Sequence, residues 1–495
     1  MMSDWPEWKV GELERKGLLL VQDGNHGEYR PRKDEFADSG VAFIRAADFD
    51  NGLVHFEKSG KINATAFERI SKGIGKDFDT ILSTKGSVGK LAYVPEGSPN
   101  FVCSPQTSFW RSLKHDFLDP RFLYYELQSR HFINQILSRK GETDMADYLS
   151  LTSQRGLMIR VPEKAVQLEV VKILSSVDRK IHLNRQTNQT LEQIAQAIFK
   201  SWFVDFEPTR AKIKAKKRWL ALHESVEVSS PTCYAEEFDN ENQSNLTLEE
   251  TMSQAAMCAI SGKSLDELEQ LSDDALQQLK STAALFPDAL VDSDLGEVPE
   301  GWEVVGFKNI IKKYIDNRGK TPPTTDTGIP LLEVKHLPEG SIKPNINTKK
   351  YVDNQTFDSW FRAHLETDDI IISTVGTIGR ICMVPEGEKI AIAQNLLGMR
   401  FKREKVSPYF MYYQMDSFRF RHDVDARLVI TVQASIKRKD LETIDLLSPP
   451  VELQNIFESF VSPFIAMLQS NQDIELEKIR EILLPKLLSG QLDIN

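Results

Sequence analysis

Residues 84–90 (TKGSVGK) and 374–380 (TVGTIGR) place two glycines, a hydroxyl and a basic residue directly after runs of β-branched residues. Glycines let successive backbone N–H groups converge on one anion, so such loops can cradle phosphate. The plain alternative is a hairpin turn. Lys85, Ser87, Lys90, Thr377 and Arg380 are the side chains they offer. A second pair of segments, 23–32 (DGNHGEYRPR) and 316–320 (DNRGK), mixes flexible turns with amide, imidazole and cationic groups: Asn25, His26, Arg30 and Arg32, then Asn317, Arg318 and Lys320. Asn and Gln pair bidentately with adenine, and Arg or Lys with guanine; basic side chains otherwise go to phosphate. Gln106, Gln394 and Asn395 follow strand-like runs and carry the same amide chemistry, or else cap buried backbone. Arg45 and Lys335, at the ends of related apolar runs, complete the candidate set for contacting DNA.

Enzymatic readings fare worse. Asp326 followed by Glu333-Val334-Lys335 has the D…ExK outline of Mg²⁺-dependent nucleases, in which carboxylates hold the metal. The corresponding positions of the first half hold Arg45 and Ala47, and chance matches to so short a pattern are common. An adenine methyltransferase needs an Asn/Asp-Pro-Pro-aromatic motif, but Pro322-Pro323 and Pro449-Pro450 are followed by Thr324 and Val451. Residues 86–90 are too short for a P-loop. His26 and His336 lack metal-ligand company, and Cys103, Cys233, Cys258 and Cys382 form no CxxC pair. No catalytic residue, metal ligand or bound cofactor is expected of the chain. A protein-binding scaffold is the remaining alternative, separable from a DNA reader by its indifference to salt.

The elements that position these residues come from an internal duplication. Residues 81–97 (ILSTKGSVGKLAYVPEG) match 371–387 (IISTVGTIGRICMVPEG) at an offset of 290, and 120–125 (PRFLYY) match 408–413 (PYFMYY) at 288. Residues 188–199 (NQTLEQIAQAIF) resemble 471–483 (NQDIELEKIREIL). A period this long makes each copy a domain plus an appended segment. The chain reads as α+β: two similar globular domains, 1–160 and 295–446, with short strands between Gly/Pro/Asn turns and one helix each. Helical spacing takes over at 161–206 and again at 447–495, predicting two long helices that pair as a coiled coil. Val170, Ile173, Val177, Leu191, Ile194 and Ile198, with Asn184 in register, form one stripe; Leu453, Ile456, Phe460, Asn471 and Ile474 form its partner. These are the candidate interface residues. Pro463 and Pro485 predict a kink or split in the second helix.

Charge has to be divided before it is used. The net −11 argues against nucleic acid only if it is uniform, yet residues 221–300 hold 18 Asp/Glu against two Lys, a local −16. The rest of the chain is therefore +5. The segment 207–294 begins basic and turns acidic and Ser/Gln-rich, reading as a linker, partly helical near 265–279 and with a composition near 225–245 that favours disorder. Hydrophobic residues at 41% supply ample core, and no apolar run approaches a membrane span. With no visible secretory signal, a cytoplasmic location is expected.

The paired I(L/I)ST..G..G(K/R) and VPEG pattern, each copy followed by a long helix, resembles the specificity (S) subunit of type I restriction-modification enzymes. So do residues 201–215 (SWFVDFEPTRAKIKA), 284–303 (ALFPDALVDSDLGEVPEGWE) and 483–492 (LLPKLLSGQL), and the resemblance spans essentially the whole chain. It implies two target recognition domains, each reading half of a split DNA sequence. The helices would form an antiparallel coiled coil, a pseudo-two-fold arrangement, acting as ruler and as platform for two methyltransferase (M) subunits. S-adenosylmethionine would sit on those subunits, with ATP and Mg on restriction (R) subunits. The stretch 222–280 is longer than the linkers this resemblance implies.

Overall fold

The computed structural model describes residues 5–25, 27–139, 148–224, 246–317, 320–429, 434–470 and 472–489. The chain divides into two compact units, residues 1–185 with 471–495, and residues 186–470.

In the first unit an antiparallel sheet runs in the order Leu19–Asp23, Thr107–Ser112, Thr80–Ser83, Leu91–Tyr93. Thr80–Ser83 is buried on both faces, as its continuous β-branched and apolar run requires. A second sheet is ordered Phe101–Cys103, Val41–Ile44, Gly60–Ile62, Phe36–Ala37, with its first two strands parallel. The chain start is tied to the domain end by Glu7–Lys9 pairing with Met158–Arg160.

The second unit repeats this plan. Ile311–Ile315, Leu396–Phe401, Ile370–Ser373 and Ile381–Met383 form a sheet in the same order, and Glu303–Gly306 pairs with Asp445–Ser448. Its smaller sheet has Ile329–Leu332 between Tyr351–Val352 and a parallel Ala391–Ile392. Each domain holds one helix opened by a capped proline. Asp119 accepts from the amides of Arg121 and Phe122 at the start of Pro120–Glu126, and Ser407 accepts from Phe410 at the start of Pro408–Asp416.

The long helix is Lys164–Phe203, 40 residues or about 60 Å of rise. In the first unit its Val170 and Leu174 pack with Leu487 and Leu488 of Gln472–Leu488, while Arg185 pairs with Glu477, so the two helices run antiparallel. In the second unit Phe199, Trp202 and Phe203 pack on Phe457 of Val451–Gln469. The buried stripe is therefore 170/174/181 and 195/199/202/203; of the residues read from sequence, Val170 lies on it and Ile173, Leu191 and Ile198 pack at its edge, whereas Val177 and Ile194 are not part of either core. The buried face at 195/199/202/203 lies about a quarter turn from the one read at 191/194/198. The predicted kink also moves. Val451–Gln469 continues through Pro463, and the break comes at Ser470, whose ψ of 136° is extended. Pro485 likewise lies inside its helix. Burial of Val461 and Ile465 on either side of Pro463 offsets its missing N–H.

Within 207–294 the described residues are folded rather than linker-like. Helices Glu207–Glu224, Leu248–Ser261, Leu265–Glu269 and Asp273–Ala284 enclose a small core of Ala256, Met257, Leu268, Leu279 and Ala283. Six of the 18 acidic residues that suggested a linker sit in first turns (Glu249, Glu250, Asp266, Glu267, Asp273, Asp274), where they complement the helix dipole, and Glu250 and Glu267 complete capping boxes with Thr247 and Ser264. The hairpin Leu290–Ser293/Gly296–Pro299 then leads into the second domain. The stretch 225–245, expected to be disordered, lies outside the described residues.

Candidate nucleic-acid interface

Three of the basic and amide residues singled out in the first copy meet at one place. Arg30, Arg45 and Gln106 line an open groove of about 280 Å³ with Pro31, Phe43, Ser104 and Pro105. Gln106 sits in a turn anchored at both ends: Ser104 N–H donates to Ile44 O at 2.8 Å and Thr107 N–H to Ser104 O at 3.0 Å. Arg45 follows strand Val41–Ile44, its amide bound to Asp48 Oδ2 at 2.7 Å. Arg30 is tethered through its carbonyl to Arg69, which also makes two bonds to Glu35 at 2.6 and 2.7 Å. These bonds and the Arg32 amide hold the Glu35 carboxyl down at about 2. Arg32 itself is exposed. A buried frame thus presents exposed guanidinium and amide groups to solvent.

Asn25 behaves differently. It is 1% exposed, its amide donates to Cys103 O at 2.7 Å, and its side chain reaches Lys72 O at 3.5 Å. Gly24 before it is forced, since a Cβ there would lie 1.9 Å from Ser104 O. Asn317 occupies the same place after strand Ile311–Ile315 and is 2% exposed. Both asparagines are packed into their domains rather than held out toward a ligand. His26 and Arg318 lie outside the described residues, and Lys320 is exposed.

The glycine loops are built turns. In the first copy Val88, Gly89 and Lys90 spend their amides on Gly86 O, Ser83 O and Ser83 Oγ, and Thr84 spends its own on Gln106 O. In the second, Gly379 and Arg380 bond Ser373, and Thr374 bonds Asn395 O. Gly86, Gly89, Gly376 and Gly379 all have φ between 77 and 99°, which explains the glycines without a ligand. The amides of Val88, Gly89 and Lys90 in the first loop and of Gly379 and Arg380 in the second are thus committed to closing the turn. What the loops show to solvent is Lys85, Ser87, Lys90 and Thr377; Arg380 is half-buried and donates to Leu337 O at 3.3 Å. The bond from Thr84 to Gln106 joins the first loop to the groove.

Gln394 is exposed and Asn395 half-buried, with Asn395 in the position of Gln106. Where the first domain has Arg45, the second has Glu333, bonded to Lys335 at 2.8 Å and Lys350 at 2.6 Å and held at about 2 by those ammonium groups. Lys335 is therefore engaged, and Glu333 is neutralised by two lysines rather than poised for Mg²⁺. Asp326 is exposed, and among the described residues no group of three His, Cys, Asp or Glu can hold a metal.

On the helices, Val170 and Leu453 are fully buried, whereas Ile173, Val177, Asn184, Leu191, Ile198 and Ile456 are half-buried. Ile194 and Phe460 are exposed, as are Leu168, Leu183, Met467, Ile479 and Ile482. Asn471 and the side chain of Ile474 lie outside the described residues. No helix among those described is long and apolar enough to cross a membrane.

Sequence reasoning passed over two duplicated networks. Arg111 grips Asp79 with two bonds of 2.7 Å and reaches Ile74 O; Arg400 grips Asp369 at 2.9 and 2.8 Å and reaches His364 O. Gln167 accepts from the Asp119 amide and donates to Pro162 O, as Gln454 accepts from Ser407 and donates to Pro449 O. Alignment of the two copies at offsets of 287–290 would have revealed both.

A family model described as "Type I restriction modification DNA specificity domain" matches residues 3–193. The chain is 27% identical to the type I restriction enzyme HindI specificity subunit of Haemophilus influenzae, over 99% of this chain and 100% of that protein. It is 22% identical to the MjaIX specificity subunit of Methanocaldococcus jannaschii, over 93% and 88%. Among solved structures it is similar to the type I restriction-modification S subunit from M. genitalium, at 15% identity and a TM-score of 0.49, covering 98% of this chain and 96% of that one. Domain match and full-length relatives agree: residues 3–193 match a type I restriction modification DNA specificity domain, and the relatives similar to the chain over nearly its whole length are type I restriction enzyme specificity subunits.

Proposed function

We propose that this chain gives a type I restriction-modification complex its DNA sequence specificity, each of its two domains reading one half of a split target. The observation that carries this is duplication with divergence. The frame is kept twice, down to the Asp–Arg and Gln networks, while the side chains at the groove differ: Arg45 and Gln106 in one copy, Glu333 and Asn395 in the other. Shared scaffolding with different donors and acceptors suits two different half-sites.

The chain itself is read as non-catalytic. Two methyltransferase subunits would dock on the helices, where Leu183, Ile194, Phe460, Met467 and Ile479 leave apolar surface open. Restriction subunits would join that assembly. S-adenosylmethionine, ATP and Mg would be held by those partners and none by this chain, and the complex would work in the cytoplasm. The test is to express the chain with the methyltransferase subunit encoded beside it and to map N6-methyladenine in host DNA. A split motif that appears only with this chain is expected. An assembled complex that leaves DNA unmethylated would favour a scaffold instead.

A further inference from the structure

Residues 208–223 contain six basic residues and no acidic one, beside a stretch dense in carboxylates. The fold sorts the six into two groups. Lys212 is buried and donates to Phe286 O at 2.5 Å, and Lys216 pairs with Asp288 at 2.6 Å; both face the helical insert along with Ala215 and Trp219. Arg210, Lys214, Lys217 and Arg218 are exposed. Their spacing of four, three and one residues puts them on one face of helix Glu207–Glu224, opposite the buried face. Arg210 donates to the backbone carbonyl of Asp205, and among the described residues no carboxylate pairs with any of the four. Two lysines hold the insert together, and the other four cations lie exposed on the far face, without a carboxylate partner among the described residues.

We propose that this stripe is a phosphate-backbone contact for duplex DNA, lying outside the two recognition domains and carrying no base specificity. The inference rests on the DNA-reading function proposed above. Four charges over the nine residues 210–218 span about 12 Å of helix, one per ~4 Å. A B-DNA strand presents one phosphate per ~3.4 Å of axis, so the charge densities correspond. The insert would then add affinity and leave the choice of sequence to the grooves.

The test uses the chain assembled with its methyltransferase subunit. The dependence of DNA affinity on salt is measured for the parent, for the combined Arg210→Gln, Lys214→Gln, Lys217→Gln, Arg218→Gln variant, and for Lys263→Gln with Lys280→Gln as an exposed control in the same insert. Each phosphate contact contributes about 0.9 to the slope of log K against log salt, so the fourfold variant is expected to lose about 3–4 in slope. Its methylated motif should stay unchanged, and the control should match the parent. Single Lys214→Gln and Lys217→Gln variants should each lose about 0.9. A parent with a steep slope and a fourfold variant equally steep would overturn the stripe alone. Loss of subunit assembly with an unchanged slope would overturn it too, making the face a protein contact. A parent with no salt-dependent DNA binding would sink the DNA-reading function itself, and this inference with it.

Discussion

Gln106 and Arg45 are exposed while Ile44, Ser104 and Thr107, which flank them in the chain, are buried, a division suited to reading bases by contact. Gln106 takes its place from a turn bonded to Ile44 and Thr84, which the side chain does not share. Gln106→Ala should therefore leave the fold intact and cost about 1–3 kcal/mol of discrimination at one position of the first half-site. Methylation mapping should show that position relaxed and the second half-site unaltered; relaxation in both would mean the domains do not read independently. Glu192 poses a different residue-scale question. It lies half-buried near Asp416 with one carboxylate oxygen enclosed and unbonded, and burial together with that neighbouring charge pushes it up to about 7. A carboxyl raised in the folded state keeps its proton there while the unfolded chain loses it, so the fold weakens as pH rises from about 4.5 through 7. Glu192→Gln should stabilise the protein at pH 8 by about 1–2 kcal/mol, after allowing for solvent screening, and change little at pH 4.5. Thermal melts at the two pH values check this, and an equal gain at both would remove titration as the cause.

At the scale of elements, Asp178 is where three helices of the first unit meet. It accepts from Tyr125 Oη at 2.8 Å and Arg480 Nε at 2.5 Å, and lies 3.5 Å from Arg121 Nη2. Asp178→Ala leaves two guanidinium groups facing each other; with the site partly exposed, the loss should be about 2–3 kcal/mol. Chemical denaturation of Asp178→Ala, Arg480→Ala and the double variant measures the coupling, and strictly additive losses would show there is none. Asp178, Arg121 and Arg480 gave no signal in the sequence, because pairing across some 300 residues leaves no local pattern. The strands were legible because Ile370-Ile371-Ile372 and its counterpart are apolar runs bounded by glycine turns. The helical insert was not, since its acidic first turns resemble linker composition until the caps at Thr247 and Ser264 are recognised. The candidate site was half legible. Residue type pointed to Arg45 and Gln106, but nothing in DGNHG revealed that Gly24 packs on Ser104 and carries Asn25 inside.

For the molecule as a whole, the proposed reading of a split target by two domains predicts that spacing between half-sites follows helix length. Helix Lys164–Phe203 is unbroken over 40 residues, whereas its counterpart is divided at Ser470. Inserting four residues after Gln186 and four after Ser470 would add about one turn, ~6 Å, to each. At ~3.4 Å per base pair that corresponds to nearly two base pairs of spacer. The groove residues are untouched, so both half-sites should keep their bases while the gap between them lengthens by one or two. The same N6-methyladenine map reads the result. A changed half-site, or an unchanged gap in a complex that still methylates, would show that spacing is set inside the domains and not by the helices.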